Sequence, residues 1–272
     1  MTTVRHAAVA GMFYPENPEV LSETVDLMLD ETKCTEQFKN IFGIVAPHAG
    51  YMYSGKTAAC AYNLLKGKEI NRVVIISPSH REYFKGISIF EGDAYETPLG
   101  EVFIDDGFRT ELTKNSEVIM VNNHGHHGEH ALEVHIPFLQ RVLKDFTIVP
   151  IVMGDQRQQF IDELAKKLAL LMDKKTIVVA SSDLSHFYNK KNADHIDSKI
   201  EKRIANFDFE GLQRDLENKT CEACGGGAIV ALMKAATIAG YNNSKVLNRS
   251  DSGDVSGDNS EVVGYLSAVI YG

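Results

Sequence analysis

Three histidines of this 272-residue chain stand directly after apolar, β-rich runs. The runs are Ile41 to Ala46, closed by Pro47-His48; Arg72 to Ser77, closed by Pro78-Ser79-His80; and Thr176 to Ser181, closed by Ser182-Asp183-Leu184-Ser185-His186. Imidazole carries protons near neutral pH and ligates iron, copper, nickel and zinc, so three rings at equivalent positions suggest a metal or acid–base centre. Short Val/Ile runs with little alternation read as strands buried on both faces, the kind found in parallel sheets, and ligands collect beyond the carboxyl ends of such strands. The three histidines should therefore meet at one edge. If His48 and His80 serve one ion, their coordinating atoms must lie within roughly 5 Å.

The loop around His48 continues Ala49-Gly50-Tyr51-Met52-Tyr53-Ser54-Gly55. Its glycines let backbone approach a bound group, and Tyr51 and Tyr53 supply hydroxyls at the mouth of a cleft. A strand-terminating turn whose histidine bonds a carbonyl would read the same way. The His80 loop, one βα unit later, favours the functional reading because neither ring then needs a long reach. Cys224 lies in Cys221-Glu-Ala-Cys224-Gly225-Gly226-Gly227, just ahead of an apolar helical stretch, where the helix dipole is expected to favour the thiolate. Cys221, beside Glu222, is expected to matter less. A redox Cys-x-x-Cys pair and an inert buried thiol remain open, whereas a zinc ribbon lacks its second pair.

The segment Gly128-Glu129-His130-Ala-Leu-Glu133-Val-His135-Ile-Pro137-Phe138 invites a zinc-protease reading that fails on spacing. His130 and His135 are five apart, and five steps of about 100° put the rings well over a hundred degrees apart on a helix. Glu133 and His135 are better used to orient a ligand or substrate at the cleft. His124, His126 and His127 read as a solvated loop. Asp183 and His186 offer a proton-transferring acid and base. Serine hydrolysis is disfavoured, since there is no G-x-S-x-G elbow and Ser185 adjoins His186.

Alternating strands and helices must position these residues. Helical patterns cover residues 17–33, 54–66, 133–142, 158–171, 194–207 and 226–238, and strands are expected at 146–153, 245–247 and 262–271. Residues 87–90 and 101–104 read as a hairpin or wide loop around Thr97-Pro-Leu-Gly100, and residues 250–259 as a polar surface loop. Repeated βα units imply a three-layer α/β/α sandwich around a mostly parallel, mixed sheet, with no internal boundary across 1–272. The net charge of −9, from 28 Lys+Arg and 37 Asp+Glu, and the lack of a basic tract argue against nucleic acid and a polybasic membrane contact. No secretory h-region opens the chain, and residues 225–240 are shorter than the ~20 that a bilayer needs, so a cytoplasmic protein is expected. Four cysteines and ten histidines suit reduced thiols or metal ligands rather than a disulfide framework.

Six ordered phrases together carry a resemblance: Ala10-Gly-Met-Phe-Tyr14-Pro15, Ala46-Pro-His48-Ala-Gly50-Tyr51-Met-Tyr53-Ser54-Gly55, Ser77-Pro78-Ser79-His80, Glu129-His130-Ala-Leu-Glu133-Val-His135-Ile-Pro137-Phe138, Ser181-Ser182-Asp183-Leu184-Ser185-His186 and Ala223-Cys224-Gly225-Gly226-Gly227-Ala228-Ile229. The chain resembles the Memo family, known in prokaryotes as AmmeMemoRadiSam system protein B, whose fold is similar to class III extradiol (LigB-type) dioxygenases. The resemblance implies metal ligands at His48, His80 and Cys224, with Asp183 and His186 beside them. It implies one divalent transition metal, with iron the first choice and copper or zinc the others. Where the dioxygenases carry a glutamate ligand this chain has a thiol, which shifts preference toward soft or redox-active ions. Two functions follow: a dioxygenase-like redox enzyme of a small molecule, or a non-catalytic module that captures a peptide or metabolite for a partner such as a radical-SAM enzyme. Metal-dependent hydrolysis is the third.

Overall fold

In a computed structural model that describes residues 2–32 and 36–272, most of the strand-forming runs assemble as one large mixed sheet between two helical layers. Lys33 and Cys34, included in the helix and cysteine expectations above, fall outside the described residues. The chain opens with β1 (Val4–Arg5) and α1 (Pro18–Glu31), where Pro18 takes the first helical turn and the Asn17 side chain accepts from the N–H groups of Glu19 and Val20 at 3.0 Å. Then come β2 (Ile41–Ala46), α2 (Tyr51–Tyr62), β3 (Arg72–Pro78), β4 (Ile87–Ile89), β5 (Ala94–Thr97), β6 (Gly100–Phe103), α3 (Asp106–Thr113), β7 (Ile119–Val121) and α4 (Ile136–Val142). The second half runs β8 (Thr147–Met153), α5 (Gln158–Leu171), β9 (Thr176–Ser181), β10 (His186–Tyr188), α6 (Lys190–Ala205), α7 (Phe209–Glu217), α8 (Gly226–Ile238), β11 (Asn243–Asp251), α9 (Gly253–Ser256) and β12 (Val262–Tyr271).

The large sheet has the order β10-β12-β2-β9-β3-β8-β4-β7, with β11 also paired to β12. Its centre, β2-β9-β3-β8, is parallel, while β12 joins β2 and β4 joins β8 in antiparallel fashion. Successive side chains of a strand point to opposite faces. Accordingly Val74, Ile76, Val149, Ile151, Val178 and Ala180 pack under α3 and α5 to α8, while Val73, Ile75, Ile148, Val152, Ile177 and Val179 pack under α1, α2 and α4. Helix α8 is buried on all sides from Gly226 to Met233, which explains why that stretch shows no polar face. Among the described residues no helix is long and apolar enough to cross a membrane.

Two local expectations change. Residues 101–104 pair with β5, not with residues 87–90: β6 closes a tight turn on β5, with Gly100 at φ +111°, and β1 completes a separate three-stranded sheet. The polar stretch 250–259 is not all loop. β11 runs on to Asp251, and a short helix, α9, follows it.

Asp197 of α6 is buried against β12, where Gly264 lacks the Cβ that would collide with it and the Ser185 N–H donates to Oδ1 at 3.0 Å. Burial raises its carboxyl to about 6, above the ordinary 3.8. The proton-bound form therefore favours the folded state: its stabilisation is complete below the unfolded pKa and is lost as pH rises through about 6. Asn at this position keeps an acceptor and removes the titration. Relative to wild type, Asp197→Asn should gain stability between pH 4 and pH 7.5, on the order of 2 kcal/mol. Urea midpoints measured at the two pH values check this, and a difference that does not change with pH would contradict it.

Candidate metal centre

The parallel register sets Ala46 beside Ser181 and Ile76 beside Ala180, so the chain leaves β2, β9 and β3 at the same edge. The Ser182 N–H donates to the Ala46 carbonyl at 3.1 Å, and the His48 N–H to Asp183 Oδ1 at 2.8 Å, which stitches the first and third loops together. The Cys224 loop closes on them from α8. A Cβ on Gly225 would overlap the Ser181 carbonyl, so glycine is what permits this approach. Gln156 fixes the same loop from behind, donating to the Cys224 carbonyl and accepting from the Gly227 N–H, each at 2.7 Å.

Both imidazoles have their tautomer set by a neighbour. His48 Nδ1 lies 2.7 Å from Ser181 Oγ, and that hydroxyl already donates to the Ala131 carbonyl at 2.6 Å. The ring must donate, which leaves the Nε2 lone pair free, 3.2 Å from Cys224 Sγ. His80 Nδ1 lies 2.9 Å from Glu129 Oε1, an acceptor, and its Nε2 is likewise left bare. A histidine oriented through Nδ1 by a carboxylate or hydroxyl is the arrangement that readies Nε2 for a metal. The ring centroids of His48 and His80 are 5.1 Å apart, and one ligand atom each from His48, His80 and Cys224 lies within 4.8 Å of the others.

Burial dominates the electrostatics. It drives the His48 pKa well below its ordinary value, and the neighbouring His80 and His130 push the same way, so the ring is neutral. The helix was expected to lower the Cys224 pKa, but burial and then the adjacent Asp183 raise it instead. α8 begins at Gly226, so Cys224 precedes the cap; the N–H groups of Asp183, at 3.2 Å, and of Gly225 pull its pKa down, but burial outweighs them. Asp183 is itself buried, which lifts its carboxyl to about 7 against the pull of the His48 N–H, and its Oδ2 is 3.9 Å from His48 Nε2. His186, at the start of β10, is half-buried, and burial lowers its pKa.

The remaining residues singled out from the sequence have partners of their own. Glu133 is not at the cleft. It is fully buried, and its carboxylate accepts from Arg5 at 2.5 Å, Ala8 N–H at 2.9 Å, Val9 N–H at 3.1 Å and the Tyr14 hydroxyl at 2.5 Å. Those four bonds fill the acceptor capacity of a carboxylate and tie the amino-terminal segment to the body. His135 is buried with Nδ1 2.8 Å from the Tyr62 hydroxyl, and the Tyr51 hydroxyl donates to the Val134 carbonyl at 2.6 Å. Tyr53 is exposed. His126, read as part of a solvated loop, is wholly buried, with Nδ1 2.6 Å from the Tyr95 hydroxyl; His124 and His127 are exposed as expected.

Two residues at the centre escaped the sequence reading. Glu129 accepts from His80 through both ring and backbone and from the N–H groups of His130 and Ala131; burial works against its ionisation, but these bonds hold it below the usual carboxylate range. His130 lies 4.7 Å from the His80 ring and 5.4 Å from that of His48, and burial lowers its pKa to about 4. Rejecting the His130/His135 pair on helical spacing removed His130 from view. Glu129, directly before it, was the available signal.

Two substitutions separate the roles of the acids. Glu129→Gln should fold and weaken transition-metal affinity about 10- to 100-fold, read by competition with a chelating dye. Glu133→Ala should destabilise the fold by about 3–5 kcal/mol in denaturant titration, because Arg5 is left buried without its partner. Unchanged metal affinity in the first variant, or unchanged stability in the second, would reverse the assignment.

Residues 5–269 match the family model described as Memo-like protein. The chain is 39% identical to MEMO1 family protein TV1383 of Thermoplasma volcanium, over 98% of each chain. It is 37% identical to a MEMO1 family protein of Methanosarcina mazei, over 98% of this chain and 99% of the relative. Against MEMO1 family protein MJ0403 of Methanocaldococcus jannaschii the identity is 33%, over 99% and 100%. A solved structure, the uncharacterized protein JW3007 of Escherichia coli K12, aligns with a TM-score of 0.48 and 14% identity over 75% of this chain and 87% of that one. With near full-length identity to these relatives and the family model spanning both ends of the sheet, the chain belongs to the Memo family.

Proposed function

We propose that this protein is a mononuclear metalloprotein in which His48, His80 and Cys224 hold one divalent transition ion for redox chemistry on a small substrate. One observation carries the reading: the three side chains meet within 4.8 Å, and both imidazoles are tied through Nδ1. Two imidazoles and a sulfur suit iron, copper or zinc and not calcium or magnesium. Iron is the first choice because three protein ligands leave positions open on an ion that takes five or six, as in the two-histidine-one-carboxylate sites with a thiolate in place of the acid. When bound, the ion supplies Lewis-acid and one-electron chemistry at those positions.

The chain's own groups then have distinct tasks. Ser181 and Glu129 hold the imidazoles through Nδ1 and keep Nε2 aimed. Cys224 must lose its proton to coordinate, so metal capture releases that proton. Asp183, whose backbone N–H touches the sulfur and whose carboxylate lies beside His48, holds or moves a proton at its carboxylate, and His186 offers a second carrier at the loop's far end.

Metal analysis of protein purified without oxygen should find about one transition ion per chain. Cys224→Ser should weaken affinity for a soft ion by more than about tenfold, since a thiolate is exchanged for a poor neutral ligand, and Cys221→Ser should change it little. The reverse ranking would replace the metal centre with a Cys221–Cys224 redox pair.

A further inference from the structure

The loops of the metal centre are braced from outside the large sheet, by the amino-terminal strand. Arg5 of β1 pairs with Tyr95 of β5, and its buried guanidinium lies over the Tyr95 ring at 4.8 Å. Nε donates to the His126 carbonyl at 2.9 Å, Nη2 to the Glu129 carbonyl at 2.6 Å and Nη1 to the Glu133 carboxylate at 2.5 Å. One planar fork thus holds residues 126–133 at three points. Glu129, the middle point, in turn holds His80: Oε2 accepts from the His80 N–H at 2.6 Å, and Oε1 lies 2.9 Å from the ring Nδ1. The carbonyl and carboxylate of a single residue therefore link Arg5 to His80. The ion pair with Glu133 accounts for a buried cation at this position, but an ammonium would satisfy that charge as well. It does not account for a guanidinium that also reaches two backbone carbonyls on either side of the Glu129 turn.

We propose that Arg5 is a positioning residue for the metal centre: by fixing the backbone of Glu129 it fixes the carboxylate that holds His80, so the amino-terminal strand sets how well that ring meets an ion. Arg5 acts only through Glu129 and touches none of the three ligands. The inference rests on the metal centre proposed above, and it gives the separate three-stranded sheet, through β1, a part in that centre.

Cobalt(II) titration followed by visible absorption, with urea midpoints taken on the same proteins, tests it. Arg5→Lys keeps a charge beside Glu133 but has one nitrogen in place of the fork, and it should weaken cobalt binding roughly tenfold, as loss of a group that orients a ligand does. Arg5→Met combined with Glu133→Gln removes the ion pair as a unit, so no lone charge is left buried, and it should show the same loss even if Arg5→Lys does not fold. Because Arg5 works through Glu129, adding Arg5→Lys to Glu129→Gln should cost less than about twofold beyond Glu129→Gln alone. Leu29→Ala, a core deletion in α1, should lower the urea midpoint and bind cobalt as wild type does. Wild-type cobalt affinity in a folded Arg5 variant, a full additive loss on top of Glu129→Gln, or a Leu29→Ala affinity that falls in step with its stability overturns the proposal while the metal centre stands. Failure of wild type to bind cobalt removes the metal centre and this inference together.

Discussion

The parallel register of β2, β9 and β3 is the constraint from which the site follows. With Ala46 beside Ser181 and Ala180 beside Ile76, the three strands end level, and the residues that follow have nowhere to go but the same edge. A shift of one residue would turn the side chains of a strand to the other face, exchanging two fully packed cores, so the register is strongly enforced. The antiparallel β12 and the buried helix α8 add the fourth element, and Gly225 lets the Cys224 loop lie against the Ser181 carbonyl. The cluster of ligand atoms is thus a by-product of sheet geometry, made exact in orientation by hydrogen bonds.

Those hydrogen bonds explain how so many titratable groups coexist out of water. Neutral imidazoles cost far less to bury than charged ones, and His48, His126, His130 and His135 all have pKa values lowered by burial. The buried carboxylates divide by their partners. Glu133 is paired with Arg5, and Glu129 is satisfied by His80 and backbone N–H groups. Asp183 and Asp197 have backbone donors but no cation bonded to them, and their pKa values rise. A divalent ion beside Asp183 would supply the missing positive charge and favour its ionised form.

The sequence revealed what depends on short-range pattern. Uninterrupted Val/Ile runs marked the central strands, an amphipathic period marked α5 over residues 158–171, and the post-strand histidines marked the loops of the site. It concealed what depends on who the partner is. β11 is polar along most of its length, and only its pairing with β12 makes it a strand. Glu133 looked like a cleft residue because nothing local shows that Arg5, 128 positions away, buries with it. Glu129 was passed over for the same reason, since its four donors come from the His80 loop and its own turn. The helix begins at Gly226 as the sequence indicated, but the burial that raises the Cys224 pKa comes from loops distant in sequence and has no local signal.

The measurement that bears most directly on the metal centre is X-ray absorption at the metal edge of iron-loaded protein, wild type beside Cys224→Ser. One sulfur scatterer near 2.3 Å together with the outer-shell pattern of two imidazoles, the sulfur vanishing in the variant, is the predicted result. A shell of nitrogen and oxygen alone in wild type, or a sulfur that persists without Cys224, would contradict it.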